Sequence, residues 1–314
     1  IVFVQATSYD VGLYARYLFW IPWNRCLTPE LFEDNGEVKR EHREGLPCLW
    51  FEAPQAANVM LFFHGNAEDI GMSFSFVKHM RDQFKVNVLA IEYPGYGMLK
   101  RSQRASEENI LKSAETAVHF LYSEIGMRYD NIILFGRSLG SGPACYLSSK
   151  YPFAGMILVA PFTSIEAAVR DLVARNLGGD HVGLHLSRFF TPRFNNLERI
   201  AQFRDGKVMF IHGQQDGLIP YTHTLQLFQA CRAAKMMITP AEMNHNANLF
   251  CDSGFLAVPA INYFGLPGNS TSTPPTVPQR FFSPGARLSY DDAGKKISLE
   301  SEETDGFFSY RQMG

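Results

Sequence analysis

No stretch of this 314-residue chain strings together the roughly 20 apolar residues that a membrane-spanning helix requires. The nearest approach, Leu13 to Trp23, is broken by Arg16 and Pro22. It reads as a leading segment packed against the core, or alternatively as an interfacial stretch with Trp20 and Trp23 at headgroup level. Charge of one sign is also missing. With 29 basic and 31 acidic residues the formal net charge is −2, which removes the electrostatic footprint of a nucleic-acid binder. The 5 cysteines are scattered and form no C-x-x-C pair, so they read as reduced thiols of a cytoplasmic, cytosol-facing protein. No Gly-Lys-Ser/Thr follows the glycines at 136–142, which excludes a phosphate-binding loop, and their order is not that of a dinucleotide site. His181 and His185 stand four apart but lack a third ligand at suitable spacing, so no metal is expected. No cofactor is called for.

What is present is a chain 46% hydrophobic and 19% charged, enough for a sizeable core. After the aromatic lead (1–37), Leu46 to Phe51 reads as an antiparallel edge strand. Continuous apolar runs follow at Val59–Phe63, Val86–Tyr93, Asn131–Phe135, Gly155–Ala160, Val208–His212 and Lys235–Thr239, as expected of strands buried on both faces. Helical spacing fills the gaps at about 69–84, 106–125, 139–150 and 222–234, and a last helix ends near Tyr263. Alternation of this kind predicts an α/β domain over 38–264, a mainly parallel sheet with helices on both faces. The break in alternation at about 164–203 reads as a short helical cap. From Gly265 to Gly314 the Gly/Ser/Thr/Pro-rich composition predicts a disordered tail, with Phe281-Phe282 and Phe307-Phe308 as conceivable docking pairs.

One of those runs ends in Gly136-Arg137-Ser138-Leu139-Gly140, a strand, a sharp turn and then helix-compatible small residues. A turn this tight exposes the serine hydroxyl and tolerates almost no side chain two residues before or after it. A serine nucleophile needs a base, and the base needs a carboxylate to fix its tautomer. Asp216 follows the strand at Val208–His212, and His245 lies in a loop after the last strand. Ser138, Asp216 and His245 are therefore the expected catalytic residues. The backbone N–H groups of Leu139 and Asn66 are the expected oxyanion donors, Asn66 lying in His64-Gly65-Asn66-Ala67 after the strand at Val59–Phe63. Met98, Phe162, Leu218 and Ile219, all just beyond strand ends, are the expected contacts of the acyl group. His64 and His212 read as loop supports.

Together with Tyr93-Pro94-Gly95-Tyr96-Gly97 and Pro161-Phe162-Thr163-Ser164, these blocks resemble the α/β-hydrolase superfamily. The likeness is greatest to the membrane-associated α/β-hydrolase domain-containing group that includes protein depalmitoylases. The longer segment at 164–203 resembles capped relatives. The resemblance covers roughly Val38 to Phe264. It implies a cofactor-free serine hydrolase of acyl esters or thioesters whose substrate is an acylated protein or a lipid at a membrane surface. A lipid esterase acting on monoacylglycerol or lysophospholipid is the first alternative. An aminopeptidase-like hydrolase using Glu68 and Asp69 is another, and a non-catalytic binding protein on the same fold is a third.

Overall fold

The computed structural model describes residues 7–9, 14–22, 45–100, 104–177, 193–249, 254–278, 281–282, 289–290 and 296–297. Eight strands form one sheet: β1 (Leu18–Ile21), β2 (Leu46–Phe51), β3 (Val59–Phe63), β4 (Asn87–Ile91), β5 (Ile132–Arg137), β6 (Gly155–Val159), β7 (Lys207–Ile211) and β8 (Ala234–Ile238). Their order is β1-β2-β4-β3-β5-β6-β7-β8. β1 and β2 run antiparallel and the rest run parallel, which is the α/β-hydrolase fold.

The apolar runs are continuous because the sheet is covered on both sides. On β3, Val59, Leu61 and Phe63 pack to one face and Met60 and Phe62 to the other; β5 and β7 alternate in the same way. One face is covered by α2 (Glu107–Ser123), α3 (Ser141–Ser148) and α6 (Thr222–Ala230). The other is covered by α1 (Phe74–Phe84) and α7 (Ala257–Phe264). α2 starts where Ser106 accepts a hydrogen bond from the Asn109 N–H (3.1 Å), with Glu107 and Glu108 in its positive first turn. α7 stops at Gly265, whose φ of +70° closes the helix in the left-handed conformation. Between β6 and β7 stand α4 (Ile165–Leu177) and α5 (Asn196–Ile200), in the segment expected to form a cap.

Two expectations need correcting. β2 is not the edge, because the aromatic lead supplies β1 outside it. Leu18, Phe19 and Ile21 are fully buried on alternating faces, so this part of the lead packs against the core. Trp23 lies outside the described residues. The tail is not structureless from Gly265, because its described part folds back. Thr271 N–H donates to the Gln55 carbonyl (2.9 Å), Phe281 packs edge-on against Phe120, and Phe282 against Phe19. Two aromatic rings bury enough surface to hold a Pro-rich segment that has no periodicity of its own. Phe307-Phe308 and the pair His181/His185 lie outside the described residues. Among the described residues no helix is long and apolar enough to cross a membrane, and no cluster of metal-ligating side chains occurs.

Candidate active site

Ser138 sits where β5 passes through a single 3₁₀ turn into α3, with φ at +50°. That left-handed conformation is costly for a non-glycine residue and is held by its surroundings. A Cβ on Gly136 would run into the Gly140 carbonyl, and one on Gly140 into the Phe63 carbonyl, which is why both positions are glycine. The Ser141 hydroxyl donates to the Ser138 carbonyl (2.7 Å) and accepts from Asn196 Nδ2 of α5 (3.4 Å), which also donates to the Phe162 carbonyl (3.0 Å), so α5 is tied to the turn.

The structure brings Ser138, His245 and Asp216 into one line. His245 Nδ1 lies 2.7 Å from Asp216 Oδ2, and His245 Nε2 lies 3.1 Å from Ser138 Oγ. A carboxylate can only accept, so Nδ1 carries the proton and Nε2 offers its lone pair to the serine hydroxyl. Asp216 is nearly buried and almost saturated with donors. Leu218 N–H and Ile219 N–H donate to Oδ1 (2.9 and 2.8 Å). His212 Nε2 lies 3.2 Å from Oδ2 while also donating to the Ile219 carbonyl (2.9 Å). Burial alone would raise the carboxyl pKa, but the bonds from His212 and His245 and the Ile219 N–H hold it well below its ordinary range. His212, expected only to support a loop, is thus a partner of Asp216. Its other nitrogen bonds the Thr224 hydroxyl (2.6 Å).

Asn66 and Leu139 both border the space in front of Ser138. The Tyr96 hydroxyl donates to Asn66 Oδ1 (2.7 Å). Beneath this loop lies a second histidine–carboxylate pair, fully buried. His64 Nε2 donates to Glu92 Oε1 (3.0 Å) and His64 Nδ1 to the Gly65 carbonyl (2.9 Å). The Gly65 carbonyl can only accept, so Nδ1 carries a proton, and a carboxylate at Nε2 favours a second one. Desolvation works against that charge, but Glu92 outweighs it and leaves the pKa raised. Glu68 and Asp69 are also engaged. Glu68 pairs with Arg137 (3.0 Å) and accepts the Gly65 N–H (3.2 Å), while Asp69 accepts the N–H groups of Ser8 and Met72 and the Ser8 hydroxyl.

A cavity of about 270 Å³ opens from Ser138 between α2 and α4. Phe162, Leu218 and Ile219 line it. Met98 does not. The short turn at 97–99 sends its side chain to the sheet face covered by α1 and α7, and Tyr96 takes the cavity position. The rest of the apolar wall comes from Ile110 of α2 and Ile165, Val169 and Leu172 of α4. Those residues carry no motif. Their helical spacing is an amphipathic signal that does not say whether the face meets core or ligand.

The family profile for serine aminopeptidases, S33, matches residues 54–205, a stretch that includes the Ser138 turn and ends before Asp216 and His245. The chain is 30% identical over 189 residues to alpha/beta hydrolase domain-containing protein 17B of Homo sapiens, covering 60% of each. It is 29% identical over 210 residues to alpha/beta hydrolase domain-containing protein 17C of Xenopus laevis, covering 66% of this chain and 62% of that one. The chain thus spans about 60% of the length of these curated relatives. Among solved structures, an acetyl xylan esterase from Paenibacillus sp. R4 superposes with a TM-score of 0.52 at 14% identity, over 71% of this chain and 80% of that one. At that identity the likeness speaks for the fold.

Proposed function

The chain has the fold of the α/β-hydrolase superfamily, and from that premise we propose a serine hydrolase of acyl esters or thioesters, with an acylated protein as substrate. The observation that carries this reading is the Ser138–His245–Asp216 line standing at the mouth of an apolar cavity. His245 Nε2 takes the Ser138 proton as Oγ attacks the acyl carbonyl, and Asp216 stabilises the imidazolium that forms. The N–H groups of Leu139 and Asn66 hold the oxyanion. The acyl chain lies between α2 and α4, where each methylene removed from water contributes about 0.8 kcal/mol. His245 then activates the water that releases the acid.

An acylated protein is favoured over a lipid ester by the likeness to the group that includes depalmitoylases. The aminopeptidase reading has less support, because Glu68 and Asp69 already have partners and neither is left to hold a substrate ammonium group. The test is a fluorophosphonate label on the wild-type protein and on Ser138→Ala, run beside hydrolysis of a palmitoyl-thioester peptide and a monoacylglycerol. Labelling lost with Ser138→Ala and a preference for the thioester are expected. Labelling that persists in the variant would overturn the nucleophile, and preference for the glycerol ester would move the substrate to lipids.

A further inference from the structure

A second cavity, about 300 Å³, lies on the other side of the catalytic loops. Its floor is Phe62, Phe76 and Leu249, which pack with the sheet face under α1 and α7, whereas the acyl cavity borders the α2 face. Its rim is made of immediate neighbours of the reacting residues. Arg137 precedes Ser138, Asn246 follows His245, and Glu68 stands two residues beyond Asn66. Arg137 Nη1 bonds Glu68 and Arg137 Nη2 donates to the His245 carbonyl (3.3 Å), so the rim's charges cancel and the cavity suits an uncharged group. At the start of α1, Ser73 lines this cavity. It is 5% exposed, and among the described residues its Oγ has no hydrogen-bond partner. A buried hydroxyl left unpaired is destabilising, and a ligand group that bonds it removes that cost.

We propose that this cavity receives the leaving group of the substrate, and that the group is an uncharged thiol carrying an amide, as a peptide segment around an acylated cysteine does. The proposal rests on the serine-hydrolase reading above. With the acyl chain between α2 and α4, the sulfur side of the thioester points toward His245 and the rim beyond it. The Ser138 Oγ–carbon bond forms and the carbon–sulfur bond breaks. The proton taken by His245 Nε2 goes to the departing sulfur, and the neutral thiol leaves through this cavity. Its amide meets Ser73 Oγ, with the Asn246 side chain at the rim. The Phe62–Phe76–Leu249 floor takes the apolar stem.

The experiment compares two octanoyl thioesters with the same acyl group, one of N-acetylcysteamine and one of butanethiol. The wild-type protein is expected to favour the amide-bearing thioester roughly fivefold in kcat/KM, the worth of one neutral hydrogen bond. Ser73→Ala should bring that ratio to about one, while the deacylation rate constant, read after the thiol has gone, stays as it was. Ala247→Phe, which narrows the cavity from the His245 loop, should slow acylation by the amide thioester while fluorophosphonate labelling persists. A wild-type ratio near one, or a ratio that survives Ser73→Ala, would overturn the subsite. So would a fall in deacylation matching the fall in acylation. Loss of fluorophosphonate labelling in the wild-type protein would instead remove the hydrolase reading beneath it.

Discussion

Two histidine–carboxylate pairs stand on either side of the oxyanion loop, and they differ in one partner. In each, the carboxylate is ringed by donors. Asp216 has Leu218 N–H, Ile219 N–H, His212 and His245; Glu92 has His64, Tyr93 N–H, the Tyr9 hydroxyl and Ile70 N–H. In each, one imidazole nitrogen faces that carboxylate. The second nitrogen of His245 faces a hydroxyl, Ser138 Oγ, whereas the second nitrogen of His64 faces a carbonyl, Gly65 O. A hydroxyl can give a proton and a carbonyl cannot. His245 thus faces a group whose proton it could take, while the far nitrogen of His64 faces only an acceptor and Glu92 raises the His64 pKa. The partner of the far nitrogen separates a base from a brace, and two copies of the same contact do opposite things.

The largest effect that would break the comparison is Asp216→Asn. An amide at this position turns an N–H toward His245 or removes an acceptor from it, and either outcome disfavours the tautomer with a free Nε2. A fall in kcat of about 10⁴-fold is expected for the thioester. Steady-state rates on protein that labels with stoichiometric fluorophosphonate check it, and a fall of less than tenfold would assign the acid elsewhere. The Asp216 carboxyl, held below its ordinary value of 3.8, also stabilises the fold above that pH and loses this contribution as pH falls beneath it.

The next is Glu92→Gln, which takes from the buried His64 the carboxylate that raises its pKa. Removing one member of a buried pair costs about 3–5 kcal/mol in stability. Urea unfolding should show that loss, while kcat falls less than tenfold in protein that remains folded, because His64 exchanges no proton in the reaction. Equal losses of kcat in Glu92→Gln and Asp216→Asn would erase the distinction between base and brace.

These two pairs also mark where the sequence is legible. The turn at Ser138 could be read because two glycines at fixed spacing are a local steric demand. Asp216 and His245 could be placed because each follows an apolar run that ends as a strand, and strand ends in a parallel sheet converge. Glu92 could not be read. Its partners Tyr9 and His64 come from segments joined only by the β1-β2-β4-β3 order, which begins with a strand that the aromatic lead does not announce. Met98 was misplaced for a related reason. The 3₁₀ turn at 97–99 reverses which side each residue faces, and periodicity says nothing inside so short a turn. The folded-back tail depended on Phe281 and Phe282 meeting Phe120 and Phe19, contacts between distant segments that local composition does not encode.

A smaller effect sharpens the comparison through pH. The His64 pKa is raised above 6.5, so the bond to Glu92 stabilises the folded state fully below 6.5 and fades as pH rises through the raised value. The stability gap between the wild-type protein and Glu92→Gln should therefore be widest at pH 6 and narrow steadily on the alkaline side. Urea midpoints at several pH values would show it. A gap that widens with pH would mean that the buried pair binds no more protons in the folded protein than in the unfolded chain, which would overturn the raised His64 pKa.

The smallest is Tyr96→Phe, which removes the hydroxyl that donates to Asn66 Oδ1 and touches neither pair's carboxylate. If Asn66 N–H holds the oxyanion, its aim depends on the loop that His64 braces from below and Tyr96 from the cavity side. Losing one such bond is worth about 1 kcal/mol, so kcat should fall roughly fivefold. The variant should keep its urea midpoint and its thioester KM, because the ring stays in place against His64. A fall confined to KM would make Tyr96 a wall of the acyl cavity and nothing more. A fall in kcat that disappears for a fluorophosphonate, whose phosphoryl oxygen needs less exact alignment, would locate the effect at the oxyanion.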